Sequence, residues 1–469
     1  MPPPTEPPTS LPTRLKFAYG LGDWGASAAT TARNLFWFFF LTSVVGLPAS
    51  IGGTILLIGR IWDSINDPLI GALSDRVNTR WGRRRPFLLF GAIPFGITFI
   101  LIFTVPPFTN SLAIAAYYVF AFLLFDTLYT AINVPYSALT PELTDDYDER
   151  SNLAGWRMSV AITAALVTGG TFKLLAEGPF YRWLGSIPAG YTLAAALWGI
   201  TLALPLLLLF AIVREPKDHR PVETPIRPIQ TFRQVFANYP FRLAAIIYLL
   251  SFSALDIVLI VFIRYLIDYI GIEPGFDNIL LAAILGVGLL SMPLTVALMR
   301  RFGKRETYIG SMIYFILILL FISRIPPGGQ DQMLLAALLA GLGYGAASAI
   351  PWAIVADVIE ADELHSGERR EGIYYGFLVF FRKLAGAGSA FVVGWALTLT
   401  GFISGTGGSV PLPQPDSALL AMRIMVSWVP AALLVLAVIV AWRYPLTRVA
   451  YNDIRRQLME RRAPANSEP

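Results

Sequence analysis

Residues 60–76, RIWDSINDPLIGALSDR, place three aspartates in a stretch of chain that is otherwise apolar enough to lie in a membrane. Asp63 and Asp67 are four residues apart, so a helix presents both on one face, and Asp75 follows two turns later. At 1.5 Å per residue, Asp63 lies about 20 Å along the helix from Ser50. Two such carboxylates repel each other, so one must bind a proton or a cation must lie between them.

The same stretch adds a third oxygen ligand. Asn66 supplies an amide oxygen beside the two carboxylates, and hard cations prefer oxygen ligands. The pattern therefore predicts a coupling-cation site at Asp63, Asn66 and Asp67. The alternative is a structural ion pair with Arg60, one turn earlier, or with Arg157.

The composition of the whole chain is that of a membrane protein. Of its 469 residues, 55% are hydrophobic and 14% are charged, whereas soluble domains carry about 25% charged residues. The absence of cysteine excludes disulfides, zinc–cysteine sites and thiol catalysis. The net charge of +5 comes from basic residues clustered in short loops, which indicates membrane topology rather than nucleic-acid binding. No cofactor is expected apart from the coupling cation.

Apolar runs of transmembrane length recur along the chain. A membrane-spanning helix needs about 20 apolar residues, and twelve segments meet this requirement. The predicted spans are 17–46, 50–74, 86–106, 111–139, 152–176, 190–213, 240–270, 276–299, 306–323, 332–358, 371–401 and 418–442.

The distribution of basic residues predicts the orientation in the membrane. Lys and Arg cluster after the second, sixth and eighth spans and in the C-terminal tail, while residues 43–50, 104–112, 270–276 and 402–417 contain none. Positively charged loops stay on the cytoplasmic side. Both termini are therefore expected in the cytoplasm of a protein that crosses the cell (inner or plasma) membrane many times.

The chain also repeats weakly. Residues 135–157, PYSALTPELTDDYDERSNLAGWR, resemble residues 351–375, PWAIVADVIEADELHSGERREGIYY, and each stretch follows the fourth span of its half. Two six-helix halves form the major facilitator arrangement, so the predicted fold class is an all-α membrane protein of that fold with twelve transmembrane helices. The expected segments are a disordered cytoplasmic tail at 1–16, bundles at 17–213 and 238–443, a cytoplasmic linker at 214–237 and a cytoplasmic tail at 444–469.

Polar residues recur along one face of the fourth span. Asp126, Tyr129, Thr130 and Asn133 are separated by three, four and seven residues, which is typical of a helix face. This stripe favours a small polar ligand, and the alternative is hydrogen bonding between helices.

Basic residues also fall inside predicted spans. Arg157 lies in the fifth span, and Arg382 and Lys383 lie in the eleventh. A buried cation needs an anionic partner or a ligand oxygen. For Lys383, a role in substrate binding or coupling is weighed against a structural bridge.

Charged residues at the predicted cytoplasmic ends of the spans suit a gate, whose salt bridges would break when the protein opens inward. The alternatives are a solvated loop and, for Asp75, a simple mark of topology. The predicted gate residues are Asp75, Arg76, Arg84, Glu142, Arg150, Asp357, Glu360 and Arg369.

Four motifs carry a resemblance to a known family. They are GRIWDSINDPLIGALSDR, WGRRRPF, YTAINVPYSALTPELTDDYDERSNLAGWR and FFRKLAGAGSA. The chain resembles the glycoside–pentoside–hexuronide:cation symporters, which implies twelve helices and sugar uptake driven by Na⁺, H⁺ or Li⁺. By position, the resemblance places the cation site on Asp63, Asn66, Asp67 and Thr130.

The resemblance also implies a substrate pocket, with Tyr129, Arg157 and Lys383 at matching positions. Ser27, Asn133 and Ser137 occupy places where melibiose-type members carry sugar-binding aspartates and a tryptophan, and Asp23 and Asp126 are acids on the same helices. The predicted substrate-binding residues are therefore Asp23, Ser27, Asp126, Tyr129, Asn133, Ser137, Arg157 and Lys383.

Together these features predict a cation-coupled symporter, not an enzyme, that imports a sugar or glycoside by alternating access. Na⁺ is the first choice of cation and H⁺ the second. A lysolipid or other amphipathic solute is the alternative substrate, because Leu378 and Val379 replace a polar pair of the family. The expected partners are a small-molecule solute, the cation and the bilayer, with no nucleic acid, and the protein is expected to be monomeric.

Overall fold

The computed structural model describes residues 11–77, 79–144, 147–214, 235–273, 275–366 and 371–462. Over these ranges the chain is almost entirely helical. The described residues contain no β-strand, and one isolated bridge joins Thr79 to Gly82. Helices satisfy the backbone hydrogen bonds of their interior residues internally, as the hydrocarbon region of a bilayer requires.

The first half of the chain folds into eight described helices, and the second half into nine. The helices of the first half are α1 Thr13–Ala32, α2 Phe38–Ser43, α3 Ala49–Arg76, α4 Arg85–Ile102, α5 Ser111–Leu143, α6 Tyr147–Glu177, α7 Pro179–Leu184 and α8 Ile187–Ile212. Those of the second half are α9 Tyr239–Arg264, α10 Phe276–Leu290, α11 Met292–Phe302, α12 Lys304–Ile322, α13 Gln330–Ser366, α14 Glu371–Leu399, α15 Asp416–Val426, α16 Trp428–Trp442 and α17 Arg448–Arg462.

Helical segments of the described chain cover each of the twelve predicted spans. Nine described helices are long and apolar enough to cross a membrane, or ten when the pair α10–α11, bent by 41°, counts as one span. The two spans outside this group are the α1–α2 run and α3. Each of them contains a buried charged side chain, Arg33 in the first and Asp63 in the second. A π-helical turn at Arg33–Trp37 joins α1 to α2.

The chain divides into two compact units. The first comprises residues 1–223 with 404–409, and the second comprises residues 224–403 with 410–469. Within the first unit α1 packs on α6 and α8, α4 on α8, and α3 on α5. Within the second unit α9 packs on α14 and α16, and α13 packs on α10 and α12.

The segment boundaries differ in three places from those expected from the sequence. The first helix begins at Thr13 instead of residue 17, and α17 occupies most of the expected C-terminal tail. Residues 404–409, expected in the second bundle, belong to the first unit. Most of the expected linker, residues 215–234, lies outside the described residues, as do residues 1–10 and 463–469 of the expected tails.

The segment at 404–409 is held by the first unit through backbone and side-chain hydrogen bonds. The amides of Gly405 and Gly408 donate to the carbonyl oxygens of Thr42 and Ser43, at 3.0 and 2.8 Å. The ammonium of Lys173, which is 1% exposed, donates to the hydroxyl of Ser409 at 2.6 Å. A segment without a hydrophobic run thus joins this unit through polar contacts, which is why hydrophobicity did not reveal its position.

Two glycines let α4 and α8 pack backbone against backbone. A Cβ atom at Gly96 would lie 2.6 Å from the carbonyl oxygen of Gly199, and one at Gly199 would lie 2.8 Å from that of Gly96. Membrane helices use small residues in this way because close backbone approach increases van der Waals contact.

Substituting Gly96 with alanine is therefore expected to destabilise the protein. Alanine gains about 1 kcal/mol in helix propensity, but overpacking against a fixed backbone costs about 1–3 kcal/mol. The matched control is Gly170→Ala in α6, where nothing lies within 4 Å of the new Cβ atom. Thermal unfolding of the purified variants should show a lower Tm for Gly96→Ala and an equal or higher Tm for Gly170→Ala. Equal Tm values would contradict this account of the α4–α8 contact.

Candidate cation and solute sites

The predicted cation ligands lie where α3 packs on α5. The hydroxyl of Thr130 in α5 donates a hydrogen bond of 2.9 Å to Oδ1 of Asp67 in α3. Asp63 and Asn66 are buried, at 3% and 4% exposure, and the side-chain nitrogen of Asn66 has no hydrogen-bond partner among the described residues. The contact between the two helices thus brings Thr130 from a distant part of the sequence to the acidic face of α3.

Arg60 modifies the charge of this site. Its guanidinium lies 3.7 Å from Oδ2 of Asp63 and donates at 3.4 Å to the side-chain oxygen of Asn34. A structural ion pair with Arg60 was the predicted alternative to a coupling-cation site at these aspartates. Arg60, Asp63 and Asp67 by themselves sum to a charge of −1 when both acids are ionised. Carboxylate, amide and hydroxyl oxygens are suitable ligands for a hard cation.

A pocket in the first unit collects most of the predicted substrate residues. Its volume is about 430 Å³, within the range of about 300–1,000 Å³ of small-molecule sites. Six of the eight predicted residues line it, namely Asp23, Ser27, Tyr129, Asn133, Ser137 and Arg157.

Arg157 is held at one side of this pocket by three kinds of contact. Its Nε atom donates to Asp23 at 3.1 Å, a second nitrogen lies 3.5 Å from the hydroxyl of Ser137, and the guanidinium stands 4.5 Å from the ring centre of Tyr136. Arg157 therefore pairs with Asp23, not with the aspartates of α3. The pair offers donors and acceptors with no net charge, a combination that suits hydroxyl groups.

The other two predicted substrate residues lie elsewhere. Asp126 is 1% exposed and faces Arg33 at 3.4 Å, so it does not line the pocket. The residues of α5 that line the pocket are Tyr129, Asn133 and Ser137, which recur every four residues along the helix. Lys383 lies in the second unit, on α14. Its neighbour Arg382 forms an ion pair with Asp256. Asp256 was not among the residues predicted from the sequence.

The model of a family described as MFS/sugar transport protein matches residues 18–448. The chain belongs to this family. It is a membrane transporter rather than an enzyme, and the predicted family resemblance and major facilitator fold are confirmed.

Similar proteins of this family are symporters and exporters by name. An uncharacterised symporter of Synechocystis is 31% identical, with 95% of this chain and 96% of the relative covered. A glucuronide carrier protein homolog of Escherichia coli is 29% identical, with 95% of each chain covered. A putative 2,3-dihydroxypropane-1-sulfonate exporter of Salmonella typhimurium is 30% identical, with 84% of this chain and 85% of the relative covered.

A solved structure supports the fold. A crystallised nucleoside transporter matches with a TM-score of 0.64 over 92% of this chain and 99% of its own length. Only 13% of the aligned residues are identical, so this likeness concerns the fold and not the solute.

The predicted gate of this transporter is described only in part. The guanidinium of Arg84, which is buried, donates to the hydroxyl of Ser74 at 2.6 Å. Asp357 forms an ion pair with Lys304. Glu360 lies near Tyr451, whose pKa is raised by burial and then by a hydrogen bond to Glu360. The side chains of Asp75, Arg76, Glu142 and Arg150 and the whole of Arg369 lie outside the described residues.

One ion pair near the predicted gate was not foreseen. The ammonium of Lys16 in α1 lies 2.9 Å from the carboxylate of Glu149 in α6. Glu149 lies between Glu142 and Arg150, which were both predicted as gate residues, but was not itself predicted. The lysine was overlooked because residues 1–16 were expected to be a disordered tail.

Proposed function

We propose that the protein is a cation-coupled symporter that imports a sugar or glycoside by alternating access. The observation that carries this proposal is the adjacency of Tyr129 and Thr130 on α5. Thr130 binds Asp67 of the cation site, while Tyr129 lines the solute pocket. One helix therefore holds parts of both sites, so a cation that orders α3 against α5 also affects the pocket.

Coupling follows from the charge of the cation site. Without a cation, ionised Asp63 and Asp67 repel each other on one face of α3. A cation removes this repulsion and favours the packing in which Thr130 binds Asp67. If the solute also binds best in that packing, the two ligands raise each other's affinity by the same factor. Na⁺ is proposed as the cation because the site offers oxygen ligands only, with H⁺ as the competing choice.

A sugar is proposed as the solute because of the polar groups of the pocket. The Asp23–Arg157 pair, Ser27, Asn133 and Ser137 provide hydroxyl, amide and charged groups at one cavity. The pocket also has apolar lining residues, namely Ala26, Ala161, Ile162 and Ala165, so a lysolipid is tested beside the sugars. The name of the glucuronide carrier homolog supports a glycoside, whereas the name of the sulfonate exporter is the reason that direction must be measured.

Uptake into membrane vesicles tests the proposal. The purified protein is reconstituted and given an inward Na⁺ gradient, with radiolabelled monosaccharides, methyl glycosides, glucuronides and a lysolipid as candidate solutes. We expect accumulation of a glycoside above its external concentration, lost when the Na⁺ gradient is collapsed. Accumulation driven by a pH gradient alone would assign H⁺. Uptake of the lysolipid alone would contradict a sugar substrate. The proposed location is the inner or plasma membrane, with both termini in the cytoplasm.

A further inference from the structure

The second unit contains a groove that lies outside the proposed cation and solute sites. Its volume is about 520 Å³, and residues of α11, α12 and α13 line it. Along α11 the lining residues run from Ser291 to Phe302, which is about 16 Å at 1.5 Å per residue. This length matches one leaflet of a bilayer, because the whole hydrocarbon core is about 30 Å thick.

A bend in the chain borders one end of the groove. Before the bend, α10 packs closely on α13, since a Cβ atom at Gly345 would lie 2.6 Å from the carbonyl oxygen of Gly288. At Ser291 the helix axis turns by 41°, and Pro293 lacks the N–H group that would continue the helical hydrogen bonds. Therefore α11 leaves the direction of α10, and the groove lies beyond this bend.

The hydroxyl groups of the groove are largely used within the protein. Five lining residues carry a hydroxyl, and four of these hydroxyls donate to backbone carbonyl oxygens. Ser291, Thr295 and Thr307 donate to carbonyls three or four residues earlier, at 2.7, 3.1 and 2.7 Å. Tyr314 donates to the carbonyl of Leu339 at 2.9 Å. The groove therefore suits a hydrocarbon chain better than a sugar, which needs free hydrogen-bonding groups.

Apolar side chains of the groove are exposed. Leu294 and Phe302 of α11 are 55% and 53% exposed, and Leu342 of α13 is 36% exposed. Gly310 of α12 is exposed as well, and nothing lies within 4 Å of a Cβ atom added there. Exposed apolar surface of this kind marks a site of contact with a membrane or a ligand.

Two side chains of opposite charge lie at one end of the groove. Arg301 follows Leu294 by seven residues, so it continues the same face of α11, and its guanidinium stands 5.3 Å from the ring centre of Phe302. Glu306 lines the groove from α12, and its carboxylate lies against the turn at Gly303. Both side chains are exposed, and neither forms an ion pair within the described part of the chain. Each can therefore bind a charge of opposite sign on one ligand.

We propose that this groove binds a phosphatidylethanolamine molecule of the surrounding bilayer. One acyl chain lies along Leu294 and Leu298, the phosphate accepts hydrogen bonds from Arg301, and the ammonium group donates to Glu306. A headgroup with both a phosphate and a primary amine pairs both charges. Phosphatidylcholine has no N–H group to donate, and phosphatidylglycerol has no positive charge. The site concerns a lipid of the bilayer and is independent of the transported solute.

Lipid binding to the purified full-length protein in detergent tests the site. Native mass spectrometry gives Kd for dioleoyl phosphatidylethanolamine, phosphatidylcholine and phosphatidylglycerol, each added alone to delipidated protein. We expect wild type to bind phosphatidylethanolamine about tenfold more tightly than the other two lipids, because it alone makes both charge-assisted hydrogen bonds. Equal affinity for the three lipids, or tightest binding of phosphatidylglycerol, would overturn the proposal.

Substitutions at the charged end separate the two parts of the headgroup. Glu306→Gln should lower the affinity for phosphatidylethanolamine to that for phosphatidylcholine, whose own affinity should not change. Arg301→Gln should weaken all three lipids, because each carries a phosphate. The control is Glu273→Gln, a change at an exposed acid before α10, which should leave the preference intact. An unchanged preference in Glu306→Gln would overturn the proposal.

A bulky residue in the groove tests where the acyl chain lies. Gly310→Phe places a ring in the open space of the groove and should weaken binding of all three lipids. The matched control is Gly286→Phe in α10, where a new Cβ atom also has nothing within 4 Å but does not line the groove. Equal lipid affinity in the two variants would show that the groove does not hold the chain.

A measurement on the unaltered protein serves if a variant does not fold. Phosphatidylethanolamine with a photoreactive group in one acyl chain is irradiated with the protein in lipid nanodiscs, and the crosslinked peptides are identified. We expect crosslinks in α11 and α12 that excess unlabelled phosphatidylethanolamine removes and excess phosphatidylcholine does not. Crosslinks confined to other helices, or equal competition by the two lipids, would overturn the proposal.

Discussion

Replacing Asp67 with asparagine is expected to abolish Na⁺-driven accumulation of solute. The change removes one of the two acids of the cation site, and the remaining Asp63 is paired with Arg60 at 3.7 Å. The substitution therefore removes one negative charge and one carboxylate ligand from the proposed Na⁺ site. We expect the Na⁺ dependence of uptake to disappear, while exchange of solute across the membrane without a gradient continues. Uptake and solute exchange in the same vesicles measure both effects.

Graded variants sharpen this prediction. Thr130→Val removes the hydroxyl that donates to Asp67 at 2.9 Å, and a hydrogen bond to a charged group contributes about 1.5–3 kcal/mol. The Na⁺ concentration for half-maximal uptake should therefore rise by roughly tenfold or more. Asp277→Asn, a substitution at a buried aspartate of α10 in the second unit, is the control. Retention of Na⁺-driven accumulation by Asp67→Asn would exclude this cation site.

The sequence predicted the parts of the cation site that depend on one helix. The spacing of Asp63 and Asp67 alone places them on one face of α3, and no tertiary information is needed for that. Thr130 could be added only by its position in the family motif, because the helix contact that brings it to Asp67 joins residues 63 apart. The pairing of Asp63 with Arg60, one turn away, was foreseen as an alternative for the same local reason.

Residues whose partners are distant in sequence were harder to predict. Asp256 stands alone in an apolar run, and its partner Arg382 lies 126 residues away. A single aspartate in an apolar run does not reveal a partner on a distant helix, so this pair follows only from the packing of α9 on α14.

Asp126 shows the limit of a periodicity argument. The helical stripe groups it with Tyr129 and Asn133 on α5, but a stripe does not say how far along the helix a pocket extends. Asp126 lies about 10 Å along the axis from Asn133, where its neighbour is Arg33. Asp126 lies next to the buried guanidinium of Arg33 and not in the pocket. This position follows only from the packing of α5 beside the π-helical turn.

The contact between α3 and α5 depends on a glycine next to the cation site. Gly59 lies one helical turn before Asp63 and is buried against Phe122 of α5. A Cβ atom added at Gly59 would overlap the ring of Phe122. That ring is itself fully buried and packs at 4.5 Å from Trp37, so it has little room to rotate away.

Gly59→Ala is therefore expected to separate α3 from α5 and to weaken Na⁺ binding without removing a single ligand. A shift of a few tenths of an ångström is enough to strain a hydrogen bond of 2.9 Å between Asp67 and Thr130. We expect a lower Tm, because overpacking costs about 1–3 kcal/mol. We also expect the Na⁺ concentration for half-maximal uptake to rise about tenfold.

The control for this substitution lies on the same helix. Gly71→Ala in α3 adds the same methyl group, but its nearest neighbour would be a methyl of Val134 at an ordinary 3.9 Å. Na⁺-dependent thermal stabilisation and uptake should thus be near wild type for Gly71→Ala and impaired for Gly59→Ala. Because both variants gain the same helix propensity, a difference between them reports the α3–α5 contact alone. Equal Na⁺ dependence in the two variants would mean that this contact does not control the cation site.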